Sequence, residues 1–569
     1  MRYHVLAADY DGTVATHGQL PEATLAALRA LRESGRKLVL VTGRRIDDLI
    51  QVCPSLEVFD RVVGENGAVL YTPATRELRS LAEAPPEAFA QALSARIGKP
   101  VDRGRVIVAT WTPHEVAAVE LIAEMGLELQ VIFNKGAVMI LPSGVNKALG
   151  LSAALDELGL SARNAVGVGD AENDHAFLSC CECAVAVANA LEAVKQRADW
   201  VTPGPSSVGV RELAGQMLAD DLARLEPRLE RHRVVIGTRA DDQPIALSPY
   251  QPPLLFAGSS GAGKSTLATA LIEGLCERGY QVCVVDPEGD FGGLPHCAAL
   301  GDADNPPGIE AVIDLLQNPQ QNVALNLQGI SLGERPAYFE ALLPRLLELR
   351  ARTGRPHWLV IDETHHVAPR KRHPTGLALP AAPRGLLFIT VHPDQVSSAL
   401  LGPVETAVGF GDKAFEVLRE MAAALAVDSP SPLGPRTLES GQALFWKKGA
   451  PRPVLFRVAK PRSERRRHVR KYASGELGED KSFFFRGPEQ KLNLRASNLQ
   501  TFLLLADGVD DDTWFFHLRA RDYSRWFRNF IHDTDLAKEV AQIEGASLAP
   551  AESRARIRAA IEKRYITPS

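Results

Sequence analysis

Two aspartates near the start of the chain, Asp9 and Asp11, directly follow an apolar run. A phosphate monoester resists nucleophilic attack because both reactants are anionic, and a divalent cation between them removes that repulsion. Asp9 is placed to attack phosphorus and form an aspartyl-phosphate. Asp11 is placed to protonate the leaving oxygen and then to activate water. The pair therefore indicates phosphoryl transfer through a covalent intermediate.

Polar residues farther along the chain could complete this chemistry. Thr42 follows another apolar run and offers a hydroxyl and a backbone amide to phosphoryl oxygens, and Lys147 supplies a fixed positive charge. Asp170 follows the strand-like residues 166–169, and Asp174 lies in the acidic segment after it. Because Mg²⁺ prefers a few carboxylates with water and phosphate oxygens, Asp170 is the best second carboxylate for this ion. The predicted Mg²⁺ ligands in this part of the chain are Asp9, Asp11, Asp170 and Asp174.

A glycine-rich segment at residues 258–266 reads Gly-Ser-Ser-Gly-Ala-Gly-Lys-Ser-Thr, between an apolar run and a helical pattern. In that context the motif predicts a loop that cradles nucleotide phosphates, because its glycines let backbone amides turn toward the anion. Lys264 would reach the β and γ phosphates, and Ser265 would bind Mg²⁺. The predicted nucleotide-binding residues are Gly258, Gly261, Gly263, Lys264, Ser265 and Thr266.

Asp362 and Glu363 end a second apolar run at residues 358–361. Asp362 is suited to hold the Mg²⁺ shell, and Glu363 to orient and polarise an attacking water. The adjacent glutamate favours ATP hydrolysis over transfer of the phosphoryl group to another substrate. His392 follows a later strand, where it could sense the γ-phosphate or be a loop histidine without a role.

The elements that must position these residues alternate along the chain. Residues 3–8, 21–34 and 37–41 have the patterns of a strand, a helix and a strand, which predicts a βαβ unit. Parallel sheets of this kind bind ligands beyond the carboxyl ends of their strands, where Asp9 and Thr42 fall. The predicted fold class is therefore α/β.

Length and composition limit the remaining possibilities. A chain of 569 residues is too long for one core, so we expect three or four domains. The net charge of −5 gives no chain-wide indication of nucleic acid or an anionic membrane as partner. No apolar stretch reaches the roughly 20 residues that span a bilayer. The first residues run directly into a motif-bearing strand, which leaves no room for a signal peptide and predicts a cytoplasmic location.

The ordered motifs of the first half resemble the haloacid-dehalogenase-like (HAD) phosphohydrolases, in their Cof or sugar-phosphatase branch (type IIB), over residues 1 to about 215. Further marks of that branch are residues 64–68, 169–174, 186–190 and 198–202. The resemblance implies a Rossmann-like core formed by residues 1–71 and 143–215, with a small α/β cap domain at 72–142. It also implies a phosphatase of small metabolites such as phosphoglycolate or sugar phosphates.

The second half resembles the HerA/FtsK-like ATPases over residues 230–460. The matching segments are residues 284–291, 323–330, 359–366, 441–444 and 454–458. The resemblance implies a RecA-like P-loop domain that binds ATP and assembles as a hexameric ring, with an arginine reaching the neighbouring site. Arg370, Arg372 and Arg384 are candidates for that arginine. One departure concerns residues 390–393, where the family usually has a glutamine after the threonine.

The last part, residues 461–569, is expected to be a basic linker followed by a small helical domain. Residues 460–471 carry seven Lys or Arg against one acid, which could bind a phosphate backbone but is more often a solvated linker. Beyond this run, aromatic and leucine-rich segments recur at helical spacing, which predicts helices with an aromatic core. These segments are residues 483–485, 499–505, 514–516 and 523–531.

The leading functional hypothesis is a bifunctional hydrolase, in which a Mg²⁺-dependent small-molecule phosphatase is joined to an assembling ATPase. A second hypothesis is a nucleic-acid enzyme, either a translocase or an end-processing kinase and phosphatase pair. It shares both motif types, and the basic run fits it, whereas the Asp362-Glu363 pair disfavours a kinase. A third is a phosphatase-like module that senses a ligand and gates the ATPase.

Overall fold

The computed structural model describes residues 1–134, 136–370, 378–432, 438–463, 472–473, 477, 481–531 and 533–565. In this part of the chain the apolar runs form the parallel strands of two separate sheets. Among the described residues, no helix combines the length and apolar composition that crossing a lipid bilayer requires.

The first sheet has eight strands and forms the core of the N-terminal half. Six strands are parallel, and the last two run antiparallel at one edge. In spatial order the strands are Trp200–Val201, Cys183–Ala186, Ala165–Gly169, Val5–Ala8, Lys37–Val41, Arg61–Gly64, Val69–Thr72 and Glu77–Ser80. The helices of this half are Glu22–Glu33, Ile46–Val52, Lys147–Leu158, His175–Cys180, Glu192–Lys195 and Ser206–Asp220.

The register of the central strands brings the predicted site residues together. Ala8 lies opposite Leu40 on one side and Val168 on the other. The residues that follow these strands, among them Asp9 and Asp170, therefore meet at one edge of the sheet. The strands themselves are buried on both faces, as expected for a parallel sheet covered by helices.

A smaller antiparallel sheet of four strands forms the cap. Its strands, in spatial order, are Asp102–Arg103, Val108–Trp111, Ala137–Pro142 and Leu129–Asn134, and its helices are Glu87–Ile97 and Glu115–Glu124. The core sheet continues through Glu77–Ser80, so the cap begins later in the chain than the predicted residue 72.

The second large sheet has eleven strands and forms the HerA-like half. In spatial order they are Pro244–Leu247, Val234–Arg239, Val454–Val458, Gln442–Lys447, Thr406–Phe410, Leu254–Gly258, Leu386–Thr390, Trp358–Ile361, Val282–Asp286, Asn322–Asn326 and Cys297–Leu300. The first four are antiparallel additions at one edge, and the other seven are parallel. The helices are Lys264–Glu277, Ile309–Gln317, Arg335–Thr353, Thr364–Val367, Ser398–Leu401 and Ala414–Ala424.

The C-terminal region is mainly helical, with one short hairpin. Its helices are Leu499–Gly508, Asp511–Ala520, Asp522–Asn529, Thr534–Gly545 and Pro550–Tyr565. The helical prediction was wrong for Phe483–Phe485, which forms a strand paired with Leu494–Ala496. Three adjacent aromatic residues fit either period, so the spacing alone could not distinguish a strand from a helix. Trp514, Tyr523 and Phe527 are fully buried, as expected for core aromatics.

Part of the predicted basic run lies outside the described residues. Lys460 and Arg462 are described, and Arg465, Arg466, Arg467, Arg470 and Lys471 are not. Arg372, one of the three candidate arginines, also lies outside them.

Candidate active sites

A buried lysine joins two carboxylates at the edge of the first sheet. Lys147 Nζ donates to Asp9 Oδ1 at 2.5 Å and to Asp174 Oδ1 at 2.6 Å. All three side chains are buried, with exposures of 1%, 4% and 0%. Because both carboxylates lie against the same ammonium group, Lys147 compensates part of their negative charge.

The helix that carries Lys147 begins at this lysine, and its position depends on a glycine. Asn146 caps the helix, since its side chain accepts hydrogen bonds from the backbone amides of Ala148 and Leu149. Gly67 packs directly on this helix start with a φ of +104°. A Cβ at Gly67 would lie 1.8 Å from the Asn146 carbonyl oxygen, so no other residue fits there.

A third carboxylate completes a cluster in which a divalent cation fits. Oxygens of Asp9, Asp170 and Asp174 lie within 4.8 Å of one another. Three carboxylates against one lysine leave an excess of negative charge, and oxygen donors of this kind suit Mg²⁺. Burial, and then repulsion from Asp174, raise the pKa of Asp9 to about 7, against the opposing pull of Lys147. Asp174 Oδ2 also accepts the backbone amides of Asp170 and Ala171, so this side chain fixes the turn as well as the lysine.

Asp11 lies apart from this cluster and is paired with an arginine. Arg44 donates to both carboxylate oxygens of Asp11, at 2.6 and 2.7 Å. The cluster of three thus contains Asp9, Asp170 and Asp174 but not Asp11, which was also predicted as a metal ligand. No role was predicted for Arg44, although it directly follows Thr42 and Gly43 at the end of a strand.

Asp9 and Asp11 both face a cavity of about 320 Å³ between the core and the cap. The core contributes Thr42 and Arg44 to its wall, in addition to Asp9 and Asp11. The described cap residues in the wall are Asp102, Ile107, Ala109, Thr110, Trp111, Asn134, Ala137 and Met139. The three residues of the predicted phosphoryl site that line it, Asp9, Asp11 and Thr42, are therefore held by the core, while the cap forms the opposite side.

Glu65 is a residue of this site that the sequence analysis missed. Its buried carboxylate accepts backbone amides from Arg105, Val106 and Ile107 in the cap, at 2.8 to 2.9 Å. Hydrogen bonds to a carboxylate are among the stronger ones, so Glu65 fixes the cap loop over the core. The only indication of this role in the sequence was the position of Glu65 in the motif at residues 64–68.

The glycine-rich loop connects a strand to a helix, as the motif requires. Leu254–Gly258 precedes it, and the helix Lys264–Glu277 begins at its lysine. Gly263 has a φ of +102°, a left-handed conformation that favours glycine. Lys264 Nζ donates to the carbonyl oxygens of Gly258 and Ser259 at 2.8 and 3.0 Å. Burial lowers the pKa of Lys264, although Glu363 and Asp362 oppose this shift.

Asp362 and Glu363 follow the strand Trp358–Ile361. In the sheet, the strand Leu386–Thr390 lies between this strand and the one that precedes the glycine-rich loop. Asp362 is buried, and burial together with Asp286, Glu363 and Asp290 raises its pKa well above the usual range. Glu363 has a φ of +37°, which is unusual for a residue other than glycine. Its buried Oε2 makes no hydrogen bond with a described residue and lies 3.4 Å from His365 Nδ1.

Three histidines lie next to this glutamate. The His365 ring is 4.1 Å from the His366 ring and 5.3 Å from the His392 ring, measured between centroids. Thr390 Oγ1 lies 3.0 Å from His365 Nδ1. The sequence allowed His392 either a sensing role or no role. Its ring lies against that of His365, which is next to Glu363.

The candidate arginines lie in different parts of the HerA-like half. Arg370 Nη1 lies 3.4 Å from the Asp394 carbonyl oxygen. Arg384 precedes the strand Leu386–Thr390, and its guanidinium lies 5.8 Å from the Tyr250 ring centroid. Because the nucleotide loop follows the carboxyl ends of the strands, Arg384 lies at the opposite edge of its own sheet.

Comparison with known proteins agrees with this division of the chain. Residues 6–99 and 120–213 match the family of haloacid dehalogenase-like hydrolases, and residues 254–341 match the central domain of the helicase HerA. A phosphoglycolate phosphatase of Pyrobaculum islandicum is 30% identical over 226 residues, which cover 39% of this chain and 98% of the relative. One from Pyrobaculum aerophilum is 32% identical over 220 residues, or 37% of this chain and 94% of the relative.

Among solved structures, a haloacid dehalogenase-like hydrolase from Bacteroides thetaiotaomicron aligns with 38% of this chain and 99% of its own. The identity is 18% and the TM-score 0.33. The relatives from Pyrobaculum, rather than this structure, establish the kinship of the first half. The chain therefore belongs to the haloacid dehalogenase-like hydrolases, and in the same polypeptide it carries a HerA-type domain after the hydrolase part.

Proposed function

We propose that the N-terminal half is a Mg²⁺-dependent phosphatase of small phosphorylated metabolites, and that the HerA-like half hydrolyses ATP. One observation carries the phosphatase proposal. Asp9 lies within a cluster of three carboxylates, is hydrogen-bonded to Lys147, and lines, with Asp11, the cavity between core and cap. A nucleophile, a cation site and an acid at one cavity are the parts that phosphoester hydrolysis needs.

The chain's own residues divide the reaction between them. An oxygen of Asp9 attacks phosphorus, the ester bond to the leaving oxygen breaks, and Asp11 gives that oxygen its proton. Asp11 then takes a proton from water, which attacks the aspartyl-phosphate and releases Asp9 and phosphate. Lys147 favours the ionised form of Asp9 throughout. Asp9 and Asp170, with Asp174 beside them, would hold Mg²⁺, which when bound lessens the repulsion between phosphoryl oxygens and carboxylates.

The cavity and the relatives support a small substrate. A volume of about 320 Å³ lies at the lower end of the range typical of small-molecule sites. The relatives from Pyrobaculum are phosphoglycolate phosphatases by name, which favours phosphoglycolate as the first substrate to test. The wall from the cap includes Thr110, Trp111 and Asn134, whose hydroxyl, ring and amide would also suit a sugar phosphate.

Phosphate release by the full-length protein tests this proposal. We expect turnover of phosphoglycolate or of a sugar phosphate that depends on Mg²⁺ and stops on addition of EDTA. Asp9→Asn keeps the shape of the side chain but removes the nucleophile, so we expect phosphatase activity to fall by at least about 10³-fold with ATP hydrolysis unchanged. Unchanged phosphatase turnover in Asp9→Asn would show that the nucleophile is another residue. Inactivity of the unmodified chain toward every ester would favour a sensing role instead.

ATP hydrolysis by the second half is supported by the acidic pair. Glu363 follows the strand Trp358–Ile361 and is near enough to Lys264 to act on the pKa of that lysine, and burial raises the pKa of Glu363 itself, as suits a group that polarises water. A kinase would instead transfer the γ-phosphate to a hydroxyl. Incubation with labelled ATP and an oligonucleotide distinguishes the two, because hydrolysis releases labelled phosphate and leaves the oligonucleotide unlabelled.

A further inference from the structure

A second cavity, of about 260 Å³, lies between the hydrolase core and the HerA-like half. Arg2 and Arg163 line it from the hydrolase side, and Arg350 and Arg384 from the HerA-like side. No aspartate or glutamate is among the described residues in its wall. Neither active site includes any part of this cavity.

Two of the four arginines are compensated by a carboxylate behind the wall. Arg2 Nη2 donates to Glu182 Oε1 at 2.5 Å, and Arg163 Nη1 lies 3.7 Å from Glu182 Oε2. Glu182 itself is buried, with 2% exposure, and also accepts the Tyr280 hydroxyl. This single carboxylate is therefore the acidic partner of both arginines on the hydrolase side.

The two arginines of the HerA-like side have no acidic partner among the described residues. Arg350 donates to the carbonyl oxygens of Pro356 and Arg384, at 2.7 and 2.9 Å. The Arg384 guanidinium lies over the ring of Tyr250, which also lines the cavity. A cation–π contact and neutral carbonyl groups orient a guanidinium but do not cancel its charge.

Two groups of the wall, Arg350 and His357, have lowered pKa values. Burial lowers the pKa of Arg350 to about 10. His357, another residue of the wall, has a pKa well below its usual range, because of burial and then of Arg355, Arg350, Arg163 and Arg2. The Arg350 and Arg384 side chains are half-buried at the cavity and have no carboxylate among the described residues of its wall, so the wall is complementary to an anion.

We propose that this interdomain cavity binds a small dianion with a phosphoryl group, namely inorganic phosphate or a short phosphate monoester. Two uncompensated guanidinium groups match two negative charges, and the forked guanidinium is suited to phosphate oxygens. The Tyr250 hydroxyl supplies a neutral donor in the same wall, since burial raises its pKa. The volume is below the roughly 300–1,000 Å³ of drug-sized sites, which favours a small ligand.

Equilibrium dialysis of the full-length protein against labelled orthophosphate, at fixed ionic strength, tests this site. The variant is Arg384→Gln, because the side chain of Arg384 donates no hydrogen bond to a described residue. Arg345→Gln is the matched control, since Arg345 lies on the same helix as Arg350 but is exposed and paired with Glu310. Phosphate held at the hydrolase and nucleotide sites is common to all the proteins, because Asp9 and Lys264 are unchanged.

We expect the unmodified chain and Arg345→Gln to hold one more phosphate per chain than Arg384→Gln, or to bind it at least tenfold more tightly. Arg350→Gln should give the same loss, and melting curves followed by circular dichroism report whether each variant is folded. Equal stoichiometry and affinity in Arg384→Gln and Arg345→Gln would overturn the proposal. Saturation of the unmodified chain at only the two active sites would overturn it as well.

Discussion

The hydrolase site and the nucleotide site both follow the carboxyl ends of parallel strands, but they compensate charge in different ways. In the hydrolase site Lys147 lies within 2.6 Å of both Asp9 and Asp174. In the nucleotide site Lys264 donates instead to carbonyl oxygens of its own loop. The first lysine is thus part of an ion cluster, whereas the second orders the loop that we propose to contact phosphate. Losing either lysine should therefore have different consequences for folding.

The two sites also open in opposite directions, because the halves meet at the amino ends of their strands. Tyr280, which precedes Val282–Asp286, donates to Glu182 at 2.5 Å. His357 and Asn164, each preceding a strand of its own sheet, lie 2.9 Å apart. A strand of five residues spans about 16 Å, so the sites lie on the order of 30 Å apart or more. This separation disfavours an enzyme in which one nucleic-acid end passes directly between them.

The largest expected effect is a loss of ATP hydrolysis that leaves phosphatase activity unchanged. Glu363→Gln keeps the size of the side chain but removes the group proposed to polarise water, so ATP hydrolysis should fall by about 10²- to 10⁴-fold. Nucleotide binding and phosphatase activity should be unchanged, because the loop and Asp9 are intact. A coupled ADP assay and a nucleotide-binding titration measure the two quantities. Normal ATP turnover in this variant would assign the role to another residue, and His365 would be the next to test.

Because Lys147 pairs with carboxylates and Lys264 with carbonyl oxygens, we expect loss of Lys147 to have a large effect on stability. Lys147→Met leaves Asp9 and Asp174 as buried carboxylates without their partner, which should lower the free energy of unfolding by about 3–5 kcal/mol. Lys37→Met is the control, because Lys37 is 46% exposed and its pair with Asp60 should contribute about 1 kcal/mol or less. Urea denaturation in EDTA compares the two. Equal losses would mean that the cluster is not what stabilises this edge of the core.

The sequence predicted the parts of the sites that follow strands of a parallel sheet. Asp9, Thr42 and Asp170 could be placed together because the strands before them are apolar, short and linked by a helix. The nucleotide loop could be placed because its glycines need left-handed backbone, as Gly263 has. Both inferences depend on local pattern together with one topological rule.

Partners that are distant in sequence could not be predicted in this way. The Arg44–Asp11 pair spans 33 residues, and Glu182 with Tyr280 spans 98. Glu65 holds three amides of the cap loop, and nothing in its local sequence indicates how close that loop comes. These contacts follow from how domains pack, which a single sequence does not encode in a readable pattern.

Substitutions of Arg44 and of Arg45, its neighbour in the chain, should affect the phosphatase kinetics in different ways. Arg44→Gln removes the bidentate partner that orients Asp11, so we expect kcat of the phosphatase to fall by about 10- to 100-fold. Arg45→Gln instead breaks a contact with Asp48 of the core, and it breaks the contacts with Asp102 and the Arg103 carbonyl oxygen that join core and cap. That change should act mainly on KM. Steady-state kinetics distinguish the two, and a reversed pattern would mean that Arg44 serves substrate binding.

The smallest predicted effect concerns the region between the halves. Burial lowers the pKa of His4 and of His232 to about 4, so both rings are neutral in the folded chain. The unfolded chain, with ordinary histidines, binds more protons between about pH 4 and 6.5. The stability that these rings contribute is therefore full above about pH 6.5 and is lost as the pH falls toward 4. The loss should be about 1–3 kcal/mol for each ring.

His232→Gln tests this pH dependence, since glutamine has no proton to gain in that range. The slope of unfolding free energy against pH between 4 and 6.5 should become shallower by up to one proton. His17→Gln is the control, because His17 is exposed and lies in the N-terminal half away from the interface. Equal slopes in the two variants would mean that His232 is charged in the folded protein, with Glu182 at 3.9 Å outweighing the cost of burial.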